Sequence, residues 1–271
     1  MQKTLKNTKN KNFLSLIIPS YKQEKTIIKD LKQILETVKK INYKTEIIVV
    51  VDGFLDQTMD KIKKSKLKVK CIGYQHNHGK GYAVRYGISH AQGNLIAFID
   101  AGMDLKPSSL IDLLEVLEKN NADIVVGSKL HPLSNVNYPL PRIILSMGYR
   151  YLVRFLFGLS IRDTQVGLKI YKRKVLEKVL PRLMVKRYAF DIEILAVSNY
   201  LGFKKIYEAP ITLKFNSWSS VTSSHFWKVI GFLLLDTAAV YYRLKFLHYY
   251  DNHNKRKWLY DKELNFRVNI P

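Results

Sequence analysis

The stretch "NLIAFIDAGMDLKPSS", residues 94 to 109, runs five apolar residues, Leu95 to Ile99, straight into two acids four positions apart, Asp100 and Asp104. An apolar run of that length reads as a buried strand, and Pro107 followed by two serines opens a helix. Two readings fit the acids. One is a plain turn with a capping carboxylate; the other is a metal site at the end of a sheet. The segments on either side bear on the choice.

Before the stretch, "FLSLIIPS" reads as a strand ending at Pro19, and "TIIKDLKQILETVKK" carries Ile27, Ile28, Leu31, Ile34, Leu35 and Val38 at helical spacing. "EIIVVVD" is a second apolar strand, "DQTMDKIKKSK" a short polar helix, "VKCIGY" a third strand and "GKGYAVRYGISHA" a helix. After it come the helix "SSLIDLLEVLEKN" and the strand "DIVVGS". Strands that are apolar throughout and alternate with helices predict an α/β fold, a mostly parallel sheet with helices on both faces. Such sheets bind ligands at the carboxyl ends of their strands. Pro19, Asp52 and Asp100 all stand at such ends, which favours the functional reading.

The chain has 271 residues, enough for one domain with an appendage, and a formal net charge of +23. A surplus that large points to a polyanionic partner: nucleic acid, an anionic membrane face or a phosphorylated substrate. No helix-turn-helix, ribonucleoprotein or zinc signature supports nucleic acid, and the expectation is no nucleic-acid partner. A single cysteine, Cys71, excludes a disulfide framework and a cysteine-rich zinc site. "MQKTLKNTKNKN" has no apolar run behind its lysines, so residues 1–12 are expected to be a disordered basic tail and not a signal peptide.

The second half differs. "PRIILSMGYRYLVRFLFG", residues 141 to 158, is apolar almost all round, with Arg142, Ser146, Arg150 and Arg154 on one narrow line. That inverts the proportions of an ordinary surface helix and predicts one lying in a membrane interface. "HFWKVIGFLLLDTAAVYYRLKFLHYY", residues 225 to 250, is interrupted by Asp236 and is too short in its uncharged run to span a bilayer. Its Trp227, Tyr241, Tyr242, Tyr249 and Tyr250 are placed like an aromatic belt, so it is expected to dock on the membrane. The polar, basic end of the chain offers no chemistry.

Taken in order, "IPSYKQE", "VVVDG", "NHGKGYAVRYGISHAQGN", "FIDAG", "VGSK", "DTQVGLKIYKR" and "FDIEILAV" resemble family 2 glycosyltransferases of the Rossmann-like GT-A fold, over about residues 13 to 215. Within that family they resemble the polyprenyl-phosphate sugar synthases of the dolichyl-phosphate mannose synthase type. The resemblance implies a nucleotide-diphosphate sugar as donor, GDP- or UDP-linked, and polyprenyl phosphate as acceptor. It implies donor binding by Pro19, Tyr21, Gln23, Glu24, Asp52, Lys80 and Asp100, with Lys22 where the family carries Asn. Gly79 and Gly81 are expected to let the backbone turn around Lys80. In "DAGMD" Asp100 matches the first acid of the family's D-x-D, and Gly102 stands in place of the second. Mg²⁺ or Mn²⁺ is therefore implied with Asp100 and Asp104 as a shifted pair, or else basic residues stabilise the diphosphate.

A phosphate acceptor needs cations more than a base, and Lys129, Arg142 and Lys169 are the candidates. Asp163, in the segment matching D-x-x-x-G, orients the acceptor, or acts as base if the acceptor is a hydroxyl. Asp191 and Glu193 are expected to be mainly structural, Asp191 being the one of the two expected to matter more. The sequence thus predicts an inverting glycosyltransferase at the cytoplasmic face of an anionic membrane, with a GT-A domain over 13–215 and an interface helix and basic tail over 216–271. Two alternatives stay open: the same fold acting on a polysaccharide or protein hydroxyl, and a non-catalytic membrane-bound module.

Overall fold

The computed structural model describes residues 12–102, 105–136, 140–185, 189–213, 225–254, 257–262, 264 and 266–270; of residues 140–146, 225–227, 229, 257–258 and 266–270 it describes the backbone alone. The expected basic tail up to residue 11 and Asp104 lie outside the described residues.

Strands β1 (Phe13–Ser20), β2 (Lys44–Asp52), β3 (Lys70–Tyr74), β4 (Leu95–Ile99) and β5 (Ile124–Ser128) form at the predicted apolar runs. Helices α1 (Ile27–Val38), α2 (Thr58–Lys64), α3 (Lys80–Ser89) and α4 (Ser109–Lys119) connect them. In α1 the buried Ile27, Leu31 and Ile34 are spaced to share one face, each contributing about 1.5–3 kcal/mol on burial. A short strand β6 (Asn135–Val136) and helix α5 (Leu140–Phe157) follow, then β7 (Leu168–Lys172), α6 (Arg173–Val179), α7 (Phe190–Tyr200), β8 (Ile206–Pro210), β9 (Thr212–Leu213) and α8 (His225–Lys245).

The main sheet has seven strands in the order β3-β2-β1-β4-β7-β5-β8. All its pairs are parallel except those of β7, which runs antiparallel to both β4 and β5. Strand residues alternate between two cores. Ile17, Val50, Ile96, Phe98 and Val126 face α3, α5, α6, α7 and α8, whereas Leu16, Val49, Ala97, Ile99 and Val125 face α1, α2 and α4. That alternation is why the strands are mostly apolar on both faces.

Because β7 is reversed, its beginning shares an edge with the ends of β1, β2, β4 and β5. The segment "DTQVGLKIYKR" thereby enters the same edge as Asp52 and Asp100.

Helices α5 and α8 pack against each other, with the Tyr149 hydroxyl 2.7 Å from Thr237 Oγ1 and Phe157 edge-on to Tyr241. The aromatic belt expected around α8 is only partly there. Tyr242 is exposed, but the chain turns back after Lys245 and buries Tyr250 completely, its hydroxyl 2.7 Å from Glu193 Oε1. A phenol that finds a buried acceptor is held by the core and not by an interface. The end of the chain, expected as a tail, forms a hairpin of β10 (Lys257–Asp261) and β11 (Phe266–Ile270).

Candidate active site

The site is built on the carboxyl edge of the sheet. Asp52 ends β2 and is buried, and donors from one loop surround its carboxylate. Tyr74 Oη and the His78 amide donate to Oδ1 at 2.9 and 2.8 Å; Asn77 Nδ2 and the Gly79 amide donate to Oδ2 at 2.7 and 3.0 Å. Asp52 therefore fixes the 74–79 loop and, through it, the start of α3. Gly79 sits at φ +93°, where only glycine is unstrained, so the turn expected there is present. Gly81 has another reason: a side chain on it would collide with the Phe190 ring of α7.

That loop aims Lys80, the first residue of α3, into a cluster of four charges. Its ammonium lies 2.9 Å from Asp100 Oδ1 and 3.1 Å from Asp191 Oδ2. On the buried side, Lys169 Nζ donates to Asp191 Oδ1 at 2.5 Å and to the Val166 carbonyl at 2.6 Å. Burial pulls the Lys80 pKa down, but Asp100 and Asp191 outweigh it and hold it raised. Burial pushes Asp191 up, yet Lys169 and Lys80 more than offset it and its pKa is lowered. Both groups are ionised at neutral pH.

Lys169, expected to meet the acceptor, does not. Its side chain has no exposed surface and its ammonium is held inside by Asp191 and Val166. Among the described residues of this cluster the exposed surface belongs mainly to Lys80 and Asp100, which keep 28% and 45% of their side-chain surface.

On the flank formed by β5, Lys129 Nζ lies 2.9 Å from Asp163 Oδ2, and the Lys129 amide donates to the same oxygen at 3.1 Å. Asp163 Oδ1 accepts the Gln165 amide at 3.2 Å. Asp163 thus ties the end of β5 to the segment entering β7. The Arg142 side chain lies outside the described residues.

On the flank formed by β1, Pro19 pairs with Val50 in the sheet, and Tyr21 is exposed with the Lys22 ammonium 5.5 Å from its ring centroid. Gln23 and Glu24 are locked to the start of α2: the Gln23 amide donates to Thr58 Oγ1 at 3.0 Å, and Glu24 Oε2 accepts the Gln57 amide at 3.1 Å. Lys22 adopts φ +51°, in the left-handed region.

The metal implied by the resemblance can be tested against these residues. Gly102, in the second acid's place, has φ +111° and faces open space. Asp100 is already neutralised by Lys80, and the two carboxylates of the cluster face two ammoniums, a formal charge of zero. Among the described residues no group of three His, Cys, Asp or Glu side chains converges. A hard dication needs several anionic oxygens around it, so the described donor set does not fit one.

Two residues carry more of the site than the sequence suggested. Asp191, read as mainly structural but the more important of its pair, bridges both lysines. Gly167 supplies the carbonyl that accepts the Asp100 amide at 3.0 Å, and the Asp100 carboxylate fills the space its side chain would take. The only sequence signal for Gly167 was its place in the D-x-x-x-G match.

Comparisons with known proteins bear on the family and the fold. Residues 15–180 match the family model described as glycosyl transferase family 2. The chain is 32% identical to a dolichyl-phosphate beta-glucosyltransferase of Saccharomyces cerevisiae over 258 residues, covering 87% of this chain and 75% of that one. It is 30% identical to the dolichyl-phosphate beta-glucosyltransferase of Homo sapiens, covering 86% and 76%. Among solved structures, mannosyl-3-phosphoglycerate synthase from Rubrobacter xylanophilus superposes with a TM-score of 0.65 at 16% identity, over 96% and 86% of the two chains. Glucosyl-3-phosphoglycerate synthase from Mycobacterium tuberculosis, in complex with Mn²⁺, UDP-glucose and phosphoglyceric acid, gives 0.61 at 18%, over 85% and 81%. The two synthases share the fold. This protein is an enzyme of glycosyl transferase family 2.

Proposed function

We propose that the protein transfers glucose from UDP-glucose to a polyprenyl phosphate held in an anionic membrane surface. The relatives that match most of the chain are dolichyl-phosphate glucosyltransferases, which supports both the sugar and the acceptor class. The structural observation that carries the membrane part is the outer surface of α5 and α8. Met147, Tyr151 and Phe155 recur every four residues on α5, and Phe232, Leu235 and Tyr242 follow one side of α8, with Phe246 just past its end. These side chains are exposed, Phe155 at 87% and Leu235 at 68%. A contiguous apolar surface of this kind marks a membrane or protein contact. No described helix is long and apolar enough to cross a membrane, so the two helices are proposed to lie in the interface. Arg154 is exposed and Arg150 lies over the Tyr151 ring at 4.7 Å, and both are proposed to reach lipid phosphates.

α8 packs on α7, whose first turn carries Asp191, so the lipid-facing helices and the charged cluster are joined by one element. In the proposed reaction an ionised oxygen of the lipid phosphate attacks the anomeric carbon opposite the nucleotide diphosphate. The new C–O bond forms as the old one breaks, its electron pair leaving on the diphosphate oxygen, and the configuration inverts. The attacking oxygen carries no proton, so no general base is required; the protein's part is to align two anions and neutralise them. Lys129 is proposed for the acceptor phosphate and Lys80 for the donor. The membrane face is proposed to be the cytoplasmic one.

The test is transfer of radiolabelled sugar from UDP-glucose, GDP-mannose and UDP-N-acetylglucosamine into organic-extractable lipid, with polyprenyl phosphate in liposomes. Lipid-phase counts from UDP-glucose are expected. Counts from another donor alone would correct the sugar; none from any donor would overturn the acceptor.

A further inference from the structure

The relation between Lys80 and Asp100 goes further than the reaction class. In a site that binds a dication between two carboxylates, the second acid supplies both charge and geometry. Here that position is Gly102, with no atom of the described residues within 4 Å of where its side chain would begin. The remaining acid is in contact with an ammonium at 2.9 Å. A dication would have to displace Lys80 from Asp100 while Lys169 stays fixed behind Asp191. The cluster would then hold two carboxylates against two ammoniums and two further charges, which is unfavourable at these distances.

An incoming diphosphate meets the opposite situation. Lys80 is already positioned by two acceptors, points to the exposed side of the cluster, and opens the ten-residue helix α3, whose amino-terminal dipole has the same sign. Asp191 keeps Lys169 as partner if Lys80 turns toward a ligand, so no buried charge is stranded.

We infer that this chain neutralises the donor diphosphate with the Lys80 ammonium at the start of α3 and binds its donor without a divalent ion. This rests on the donor reading above. When the anomeric bond breaks, the charge gathering on the departing diphosphate oxygen is met by Lys80, and no metal-bound species enters the step.

The experiment is calorimetric binding of UDP and GDP to the full chain in EDTA, in Mg²⁺ and in Mn²⁺, alongside uridine and guanosine. The affinity of whichever nucleotide binds is expected to agree within about threefold across the three conditions. Lys80→Met is expected to weaken that nucleotide roughly 10- to 100-fold, the loss of one charge-assisted contact, and to leave the nucleoside unchanged. Lys80→Arg, which keeps the cation, is expected to restore most of the loss and guards against a merely misfolded Lys80→Met. A tenfold or greater rise in wild-type affinity with Mn²⁺ would overturn the inference, and its disappearance in Asp104→Asn would show that Asp104 completes a metal site. Unchanged nucleotide binding by Lys80→Met would overturn it as well. Failure of the folded wild type to bind either nucleotide under any condition would instead overturn the donor reading itself.

Discussion

The Asp100 carboxylate occupies the space that a side chain on Gly167 would fill, and the Asp100 amide donates to the Gly167 carbonyl at 3.0 Å. A methyl group at 167 would meet the carboxylate well inside van der Waals contact, and Asp100 Cβ at 3.0 Å. Gly167→Ala must therefore push Asp100 out of its place beside Lys80. We expect a fall of about tenfold or more in transfer, since small misplacements at a reacting centre are costly, with a stability loss of only about 1–3 kcal/mol. Sugar transfer and urea unfolding measured on the same preparation check both. Equal loss in the two would mean the glycine serves packing alone.

Asp191 holds the cluster together. Replacing it with Asn leaves Lys169 buried without its counter-charge, a change that costs about 3–5 kcal/mol. The pH dependence has a definite sign. The folded pKa of Asp191 is lowered, so its stabilisation is complete above the unfolded carboxylate value of about 3.9 and is lost as pH falls through the lower folded value. The stability gap between wild type and Asp191→Asn is expected to be full at pH 7 and to narrow as pH falls through that window. Urea midpoints across pH 2.5–7, on the order of six points, trace it.

Asp163 and Lys129 distinguish the acceptors. With a phosphate acceptor, Asp163→Asn keeps the oxygen that accepts the Gln165 amide and is expected to retain most of its turnover. Lys129→Ala is expected to raise the KM for polyprenyl phosphate more than it lowers kcat. A loss of about 10²–10⁴ in Asp163→Asn turnover would instead identify a general base and hence a hydroxyl acceptor.

Among the described residues, Phe155 and Leu235 are the most exposed apolar side chains on α5 and α8. Each is expected to contribute up to about 1.5–3 kcal/mol when buried in lipid, so Phe155→Ser and Leu235→Ser should each weaken vesicle binding roughly tenfold. As surface substitutions they should change folding stability by less than about 0.5 kcal/mol. Cosedimentation with phosphatidylserine-containing vesicles reads the first and thermal unfolding the second. Undiminished sedimentation of both variants would remove these helices from the membrane contact.

Much of this protein was determined by sequence-local physics. The strands β1 to β5 are apolar because both their faces are covered, and that property is visible residue by residue. The spacing of Ile27, Leu31 and Ile34 fixes the buried face of α1, and the strand ends place Asp52 and Asp100 on one edge without any knowledge of contacts. What the tertiary structure alone decided are relations between distant residues. β7 inserts antiparallel between β4 and β5, so Lys169 enters from the opposite direction and is buried against Asp191, 22 residues on. Lys80 reaches Asp191 across 111 residues, and Tyr250 returns from beyond α8 to Glu193 across 57. Lysine is lysine in sequence; whether it meets a ligand or a buried carboxylate depends on which acid the chain's topology brings to it, and the desolvation and Coulomb terms that separate those fates arise only from that placement.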